Sequence, residues 1–309
     1  MKVTEECFSK VKKDCFRFIK SQETSTEKFR NKDGMLKSFL IPMCFWIAKK
    51  ANNKKPYFVG LAGGQGTGKT TISSIIKIIL EKNFKLKVFK ISIDDFYKTR
   101  KDRLKLSKKI HPMLMTRGVP GTHDIKMMLN FFKKVKSKNF KKMKLPNFNK
   151  AVDDRISKKN WYQIDKRPDI IIFEGWCVGA KSELNKTLTR SINSLEKIND
   201  KKFKWRKYVN QQLKTGYKDL YSQLNCMIYL KAKSFGLLQK WRLKQEYKLW
   251  LKTKKSSSLK IMNKNDVLSF MQTYQRITEN MFKNMPKYAS IILNLNSNHQ
   301  IKSAVYKSK

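Results

Sequence analysis

The chain has 309 residues, 40% of them hydrophobic, which is enough for a large core arranged in one or two domains. Its formal net charge of +47 at pH 7 comes from 70 Lys and Arg residues against 23 Asp and Glu residues. Only 11 of the basic residues are Arg, which nucleic-acid readers favour, and the Lys residues are spread along the whole chain. This composition favours a solvated lysine-rich surface, so we do not expect nucleic acid among the partners.

The cysteines and the apolar runs bear on the compartment. Five cysteines are irregularly spaced and no two of them lie at zinc-ligand spacing, which fits a reduced, cytoplasmic environment. The longest apolar run, residues 39–48, contains Pro42 and is shorter than the roughly 18 residues of a membrane span, so we expect no membrane partner. The first 35 residues are Lys-rich and polar, which leaves an organelle-targeting role open.

The apolar patterns predict helices and strands in alternation. Residues 1–35 are predicted to form an N-terminal helical extension that ends in a polar loop, and residues 35–53 a helix that packs on the core. The predicted strands are residues 57–62, 87–93, 169–174, 226–232 and 291–295, with helical patterns between them. We therefore expect an α/β fold with a doubly wound, mainly parallel sheet and helices on both faces.

A glycine-rich loop joins the first strand to its helix and carries the P-loop signature Gly63-x4-Gly68-Lys69-Thr70. Such glycines let backbone N–H groups turn inward around phosphate, and the helix N-terminus adds partial positive charge. Lys69 is expected to reach the β- and γ-phosphates of ATP, and the Thr70 hydroxyl to ligate Mg²⁺. The alternative is a glycine-rich turn without a ligand. The predicted nucleotide-binding residues are Gly63, Gly64, Gln65, Gly66, Thr67, Gly68, Lys69, Thr70 and Thr71.

Acidic residues end two of the predicted strands. The second strand runs into Ser-Ile-Asp-Asp-Phe-Tyr at residues 92–97, where Asp94 is the candidate base and Asp95 its less favoured neighbour. Glu174 ends an apolar strand, as the metal-binding acid of a P-loop protein does. Asp94 and Asp95 could instead be turn acids, and Glu174 a helix cap. The predicted Mg²⁺ ligands are Thr70, Glu174 and Asp94.

In order and spacing, these motifs resemble the D-glycerate 3-kinase family, with its plant and fungal members, in the phosphoribulokinase/uridine kinase/pantothenate kinase branch of P-loop kinases. The resemblance spans about residues 40–274 and includes Gly-Thr-His-Asp at 121–124, Leu-Pro-Asn-Phe-Asn-Lys at 145–150 and Glu-Gly-Trp at 174–176. It implies a kinase domain over residues 36–309 that phosphorylates D-glycerate to 3-phosphoglycerate with MgATP. It also implies that Asp94 is the catalytic carboxylate facing the acceptor hydroxyl.

Other readings of the function remain open. One is a kinase of the same branch with a different acceptor, such as a nucleoside or pantothenate. Another is a non-catalytic ATP-binding module attached to RNA. Two positions depart from the family pattern, because Ala151 stands where Ser is common and Asn225 where an acid is usual.

A small carboxylate acceptor needs cations and hydrogen-bond partners in a closed site. His123 could instead be structural, and Lys150 and Arg155 could be surface cations. Asp124 could cap the following helix or bind a ligand. The candidate acceptor-binding residues, beside Asp94, are Arg117, His123, Lys150, Arg155 and Trp176.

A helical stretch over about residues 233–260 resembles the lid of related P-loop kinases. Within it, Arg242 is expected to contact the phosphates and to stabilise charge in the transition state, together with Lys69 and Asp94 as catalytic residues. The alternative is a surface helix with Trp241 in the core. The lysine-rich stretches 133–144 and 181–207 are predicted to be surface helices or insertions, and residues 252–260 to be mobile.

Overall fold

The computed structural model describes residues 2–24, 28–52, 55–253 and 262–307. The strands within these ranges are β1 (Tyr57–Gly63), β2 (Val88–Ser92), β3 (Met143–Leu145), β4 (Phe148–Asn149), β5 (Asp154–Arg155), β6 (Tyr162–Ile164), β7 (Ile170–Gly175), β8 (Cys226–Lys231), β9 (Ile291–Leu295) and β10 (Ile301–Tyr306). The helices are α1 (Lys2–Gln22), α2 (Lys32–Met35), α3 (Ile41–Asn52), α4 (Lys69–Phe84), α5 (Arg100–Lys109), α6 (Ile125–Lys136), α7 (Ser194–Asn199), α8 (Lys204–Lys214), α9 (Gly216–Tyr221), α10 (Phe235–Thr253) and α11 (Lys264–Asn284).

The central sheet has six strands in the order β10–β9–β8–β1–β7–β2. Its strands pair in parallel except for β10, which pairs antiparallel with β9 at one edge. The prediction of a doubly wound, mainly parallel P-loop fold is therefore confirmed. Since the carboxyl ends of parallel strands meet at one edge, the loop after β1, the turn after β2 and the end of β7 come together there.

Strand β1 is buried along its whole length because apolar side chains leave both of its faces. Tyr57, Val59 and Leu61 pack into the core on one side of the sheet, together with α3 and α4. Phe58 and Ala62 alternate with them and pack into the core on the other side. The phosphate-binding loop thus starts from a rigid central strand.

Helix α1 belongs to the first of these cores. Cys7, Val11, Cys15 and Ile19 recur every four residues on one face, and all are at most 1% exposed. The helix packs against α4, which follows the P-loop. A domain boundary at residue 35 stays a prediction.

The lysine-rich stretch 181–207 contains helices, as one of the two predictions for it held, but it does not lie only at the surface. It contains α7 and the start of α8, and it buries Glu196, Asp200 and Arg206, each at most 2% exposed. Arg206 donates to an Asp200 carboxylate oxygen at 2.9 Å, and Arg276 of α11 pairs with Glu196 at 2.7 Å. Buried charges need such partners, which residue type alone does not reveal.

Three further stretches bear on the predictions. Residues 133–144 end α6 and begin β3, and the edge strand β10 was not predicted. Residues 254–260, which end the predicted lid and fall in the predicted mobile stretch, lie outside the described residues. Asn225 accepts a hydrogen bond from the Phe58 N–H at 2.7 Å, so its amide oxygen serves the start of β1.

Candidate active site

The P-loop encloses space at the carboxyl end of β1. Gly66 and Gly68 have φ values of 79° and 82°, the left-handed region that glycine tolerates best. A Cβ on Gly66 would also lie 2.8 Å from the Trp241 Cβ, so α10 closely covers the loop. Lys69 donates from its ammonium to the Gly64 carbonyl at 3.0 Å. Desolvation lowers the pKa of Lys69, while Glu174 and Asp94 oppose that shift.

Thr70 and Glu174 form a pair of oxygen donors beside the P-loop. The Thr70 hydroxyl donates to Glu174 Oε1 at 3.1 Å, and Glu174 is 5% exposed. Glu174 Oε2 is buried and has no hydrogen-bond partner among the described residues. Such an orphaned carboxylate oxygen fits Mg²⁺, which takes few protein oxygens and completes its shell with phosphates and water. Glu174 lies within β7 and caps no helix.

Asp94 and Asp95 occupy the 3₁₀ turn Ile93–Phe96 and have different partners. Asp95 accepts from the Ser92 N–H at 3.1 Å, and Ser92 accepts from the Asp94 N–H, which makes a capping box. Asp94 instead pairs with the Lys150 ammonium at 2.6 Å. Asp95 therefore stabilises the 3₁₀ turn, whereas the Asp94 carboxylate faces the site.

Because their partners differ, the two carboxylates also differ in pKa. Burial raises the pKa of Asp95 to about 6, although the Ser92 N–H opposes it. Burial also pushes the pKa of Asp94 upward, but the Lys150 and Lys69 ammonium groups outweigh it and hold that pKa below its ordinary value. Asp94 is therefore ionised at neutral pH.

Lys150 lies in the turn between β4 and β5, and two ion pairs to Asp153 fix that turn. Arg103, which is fully buried, pairs with Asp153 at 2.9 Å and donates to the Asp153 carbonyl. Arg117 also pairs with Asp153 and donates to the Lys150 carbonyl at 3.2 Å. The sequence suggested that Arg117 binds ligand, whereas the structure commits much of its guanidinium to this turn.

Arg155 and Asp124 hold a neighbouring part of the wall. Arg155 donates to the Tyr97 carbonyl at 2.7 Å and to Asp124 Oδ2 at 3.1 Å, and its side chain is only 12% exposed. Asp124 accepts from the Met127 N–H at 3.1 Å and so caps α6. Arg155 is thus not a surface cation, and several of its N–H groups are used by protein acceptors rather than left for a ligand.

His123 lies beside Asp94 in a closed, aromatic setting. Its ring stacks on Tyr97 at 4.4 Å between centroids, and its Nδ1 lies 2.6 Å from the Tyr217 hydroxyl. The same hydroxyl accepts from the Gly121 N–H at 3.0 Å. Nε2 is buried without a partner among the described residues. Burial lowers the pKa of His123 to about 3, although Asp94 opposes the shift, so the ring is neutral.

Trp176 is 3% exposed and donates from its indole to the Gly118 carbonyl at 2.9 Å. Its ring packs edge-on against Tyr274 at 4.8 Å. Both contacts place Trp176 in the wall behind the loop 117–124. The sequence did not predict a role in the site for Tyr97, although Tyr97 belongs to the same motif as Asp94. It also did not predict the roles of Arg103 and Asp153, which belong to no recognised motif.

Arg242 lies on α10, the helix that covers the P-loop. It pairs with Glu246 at 2.7 Å, sits over the Phe270 ring and has a side chain 19% exposed. Trp241 is 3% exposed and donates to the Ser297 carbonyl at 3.2 Å. Trp241 is thus a core residue, as the alternative interpretation of this helix proposed. The backbone of its neighbour Arg242 lies close to Gly66 of the P-loop.

This fold and its phosphate-binding loop define a P-loop kinase, a class of phosphotransferases that use a nucleoside triphosphate. Residues 58–207 match the Phosphoribulokinase / Uridine kinase family and form a domain of that family. Among the helices of the described ranges, none combines the length and apolar character needed to cross a membrane.

Similarity to individual proteins confirms the resemblance to D-glycerate 3-kinases. The chain is 27% identical over 228 residues to an uncharacterized kinase of Schizosaccharomyces pombe, covering 71% of this chain and 79% of the relative. It is 24% identical over 226 residues to the chloroplastic D-glycerate 3-kinase of Arabidopsis thaliana, covering 67% of this chain and 47% of the plant protein. The structure of a D-glycerate 3-kinase from Cryptococcus neoformans has the same fold, with a TM-score of 0.73, 21% identity and coverage of 86% of this chain and 97% of that one.

Proposed function

We propose that this kinase transfers the γ-phosphoryl group of ATP to the 3-hydroxyl of D-glycerate. The observation that carries the proposal is the Asp94–Lys150 ion pair at 2.6 Å, at the same edge of the sheet as the P-loop. An acceptor with both a hydroxyl and a carboxylate matches a carboxylate that takes a proton beside a cation that binds an anion. The relatives named as D-glycerate 3-kinases support this choice.

The ion pair also suggests how the acceptor activates its own base. Lys150 is 63% exposed and can pivot, whereas Asp94 is fixed by its turn. When the acceptor carboxylate takes Lys150, Asp94 loses the cation that most strongly lowers its pKa. The pKa of Asp94 then rises, which makes it a better base for the hydroxyl.

In the transfer step, the acceptor hydroxyl oxygen forms a bond to the γ-phosphorus, and the bond to the oxygen bridging to ADP breaks. Asp94 takes the hydroxyl proton, and ADP leaves. Lys69 exchanges the Gly64 carbonyl for phosphate oxygens. Arg242 turns from Glu246 towards the transferring group, where its positive charge stabilises the charge spread over the equatorial oxygens.

Thr70 and Glu174 are the residues that would hold Mg²⁺, and the ion when bound supplies positive charge at the phosphate oxygens. Asp94 was a further metal candidate from the sequence. Its pairing with Lys150 fits the acceptor role better. The Mg²⁺ assignment therefore rests on the Thr70 hydroxyl and the orphaned Glu174 oxygen.

We propose a narrower acceptor site than the sequence indicated. Lys150 binds the carboxylate, and the neutral His123 offers its Nε2–H as a hydrogen-bond donor to the acceptor. Arg117, Arg155 and Trp176 build the walls, since their polar groups are largely taken by Asp153, Asp124 and the Gly118 carbonyl.

An acceptor panel tests this proposal. ADP release would be measured with D-glycerate, L-glycerate, uridine and pantothenate, with Asp94→Asn protein as the blank for contaminating kinases. We expect D-glycerate to give the highest kcat/KM. A higher value with uridine or pantothenate would overturn the acceptor, and a salt-sensitive RNA complex with no phosphotransfer would favour an RNA-associated module.

Cytoplasmic localisation stays a prediction. The five cysteines are free and buried, which agrees with a reduced environment. The plant relative is named as chloroplastic. Imaging the tagged full-length chain in its own cells would decide between these compartments.

A further inference from the structure

A cleft of about 900 Å³ opens on the outer side of the P-loop, away from Asp94, Lys150 and His123. Its volume is in the range of small-molecule sites. Gly66, Gly68 and Thr71 line its inner end, so a nucleotide whose phosphates lie in the P-loop extends directly into it. The acceptor side and this cleft are therefore separate ends of one site.

The N-terminal part of the chain supplies one wall of this cleft. We define the N-terminal wall as Gln22, Lys28, Phe29, Arg30 and Asn31, all of which line the cleft. Family similarity over residues 58–207 does not include this wall. Neither the P-loop signature nor the acceptor motifs predicted it.

The N-terminal wall is held in a defined place. Glu23, whose side chain is 5% exposed, accepts from the Phe29 N–H and from the Lys32 ammonium, both at 2.8 Å. Asn31 accepts from the Gly34 N–H and caps α2. Gln22 is the last residue of α1, whose buried face packs in the core on one side of the sheet. Residues 28–31 are held by their contacts with Glu23 and α2.

The cleft combines apolar surface with cations. Phe29, Met35, Ile72 and Leu237 offer apolar surface that suits a nucleobase. Lys28 and Arg30 lie on the N-terminal wall, and three lysines recur every four residues along the cleft face of α10: Lys240, Lys244 and Lys248. Such charge attracts a polyanion that carries its base into the cleft.

We propose that the N-terminal wall closes the nucleoside half of the ATP site, with Phe29 packing near the base and Arg30 contacting the ribose. This inference rests on the ATP use proposed above, but on no particular acceptor. It gives the N-terminal wall a role in nucleotide affinity.

Binding measurements without acceptor test the proposal. The test variant is Lys28→Ala/Arg30→Ala, and the matched control is Lys10→Ala/Lys13→Ala, which removes two exposed cations of α1 outside the cleft. Calorimetric titrations with ATP, ADP and inorganic tripolyphosphate, each with Mg²⁺, separate the nucleoside from the phosphates. Thermal unfolding checks that both variants are folded.

We expect the test variant to raise the Kd for ATP and ADP by at least about fivefold and the Kd for tripolyphosphate by less than about twofold, with the control close to the unmodified protein. Equally weakened binding of all three ligands, or equal effects in both variants, would show that the wall acts only by general charge attraction. Either result would overturn the proposal. Unchanged nucleotide binding would also overturn it. Failure to phosphorylate D-glycerate would leave this result intact, because no acceptor is present.

Discussion

Asp94 and Asp95 are neighbouring carboxylates, and their different partners indicate different roles. Asp94 faces Lys150, and Asp95 holds the Ser92 N–H. We expect Asp94→Asn to lower kcat by about 10² to 10⁴, because the amide cannot take the hydroxyl proton. Asp95→Asn keeps an oxygen for the Ser92 N–H and should stay within about threefold of normal turnover. Steady-state kinetics on both variants check this, and equal losses would assign the effect to the turn.

The Lys150 ammonium lowers the pKa of Asp94. Lys150→Met removes the main cation opposing burial, so the pKa of Asp94 should rise. Activity needs the ionised carboxylate, so the acid limb of kcat/KM should move at least about one pH unit towards neutral. Lys158→Met, an exposed lysine elsewhere, serves as the control. An unchanged limb in pH–rate profiles would argue against this coupling.

The raised pKa of Asp95 affects stability. Its folded pKa of about 6 lies above the ordinary value of about 3.9, so its stability contribution is complete below the lower value and is lost as pH rises through the higher one. Asp95→Asn cannot ionise. Relative to the unmodified protein, its free energy of unfolding should therefore improve by about 1 to 2 kcal/mol between about pH 5 and pH 7.5. Urea unfolding at both values checks this, and parallel pH dependences would refute it.

At the scale of elements, helix α10 covers the P-loop and carries the Arg242 guanidinium. We expect Arg242→Ala to lower kcat by about 10² to 10³ with a smaller change in the KM for ATP, because the charge acts mainly in the transition state. Glu246→Gln breaks the same ion pair but keeps Arg242, so its kcat should remain near normal. If both variants lose turnover equally, Arg242 acts only by holding α10.

The strands that carry the site were predictable because their signals are local. β1 and β7 are apolar on both faces, and the P-loop starts at the carboxyl end of β1, as Glu174 lies at the carboxyl end of β7. Edge strand β10 does not alternate polar and apolar residues and is largely exposed, so its pairing with β9 depends on tertiary contact. The roles of Arg155 and Arg117 likewise depend on partners distant in sequence, Asp124 and Asp153.

At the scale of the whole molecule, buried ion pairs join the lysine-rich segment to the core. Arg276 of α11 is 8% exposed and pairs with Glu196 at 2.7 Å and Glu183 at 3.3 Å. Arg276→Ala leaves a buried carboxylate unpaired and should lower the free energy of unfolding by about 3 to 5 kcal/mol. Denaturant unfolding measures this, with the exposed Arg190→Ala as the control. A similar small loss in both variants would show that the pairs contribute little.

The composition predicted the bulk of the surface but not these pairs. A net charge of +47 and abundant Lys indicate a solvated exterior, yet Arg103, Arg206 and Arg276 are buried. Each of them bonds carbonyls or carboxylates supplied by other parts of the chain. Only the folded chain brings such partners together, so composition and local pattern could not locate them.

We propose that one chain unites a nucleotide phosphate site with an acceptor site for D-glycerate. The most direct test is a ³¹P NMR time course with MgATP, D-glycerate and the purified full chain, with Asp94→Asn protein in parallel. We expect conversion of ATP to ADP and of D-glycerate to 3-phosphoglycerate in equal amounts, with neither product formed by the variant at a comparable rate. Formation of ADP with inorganic phosphate alone, or phosphorylation of D-glycerate at another oxygen, would contradict it.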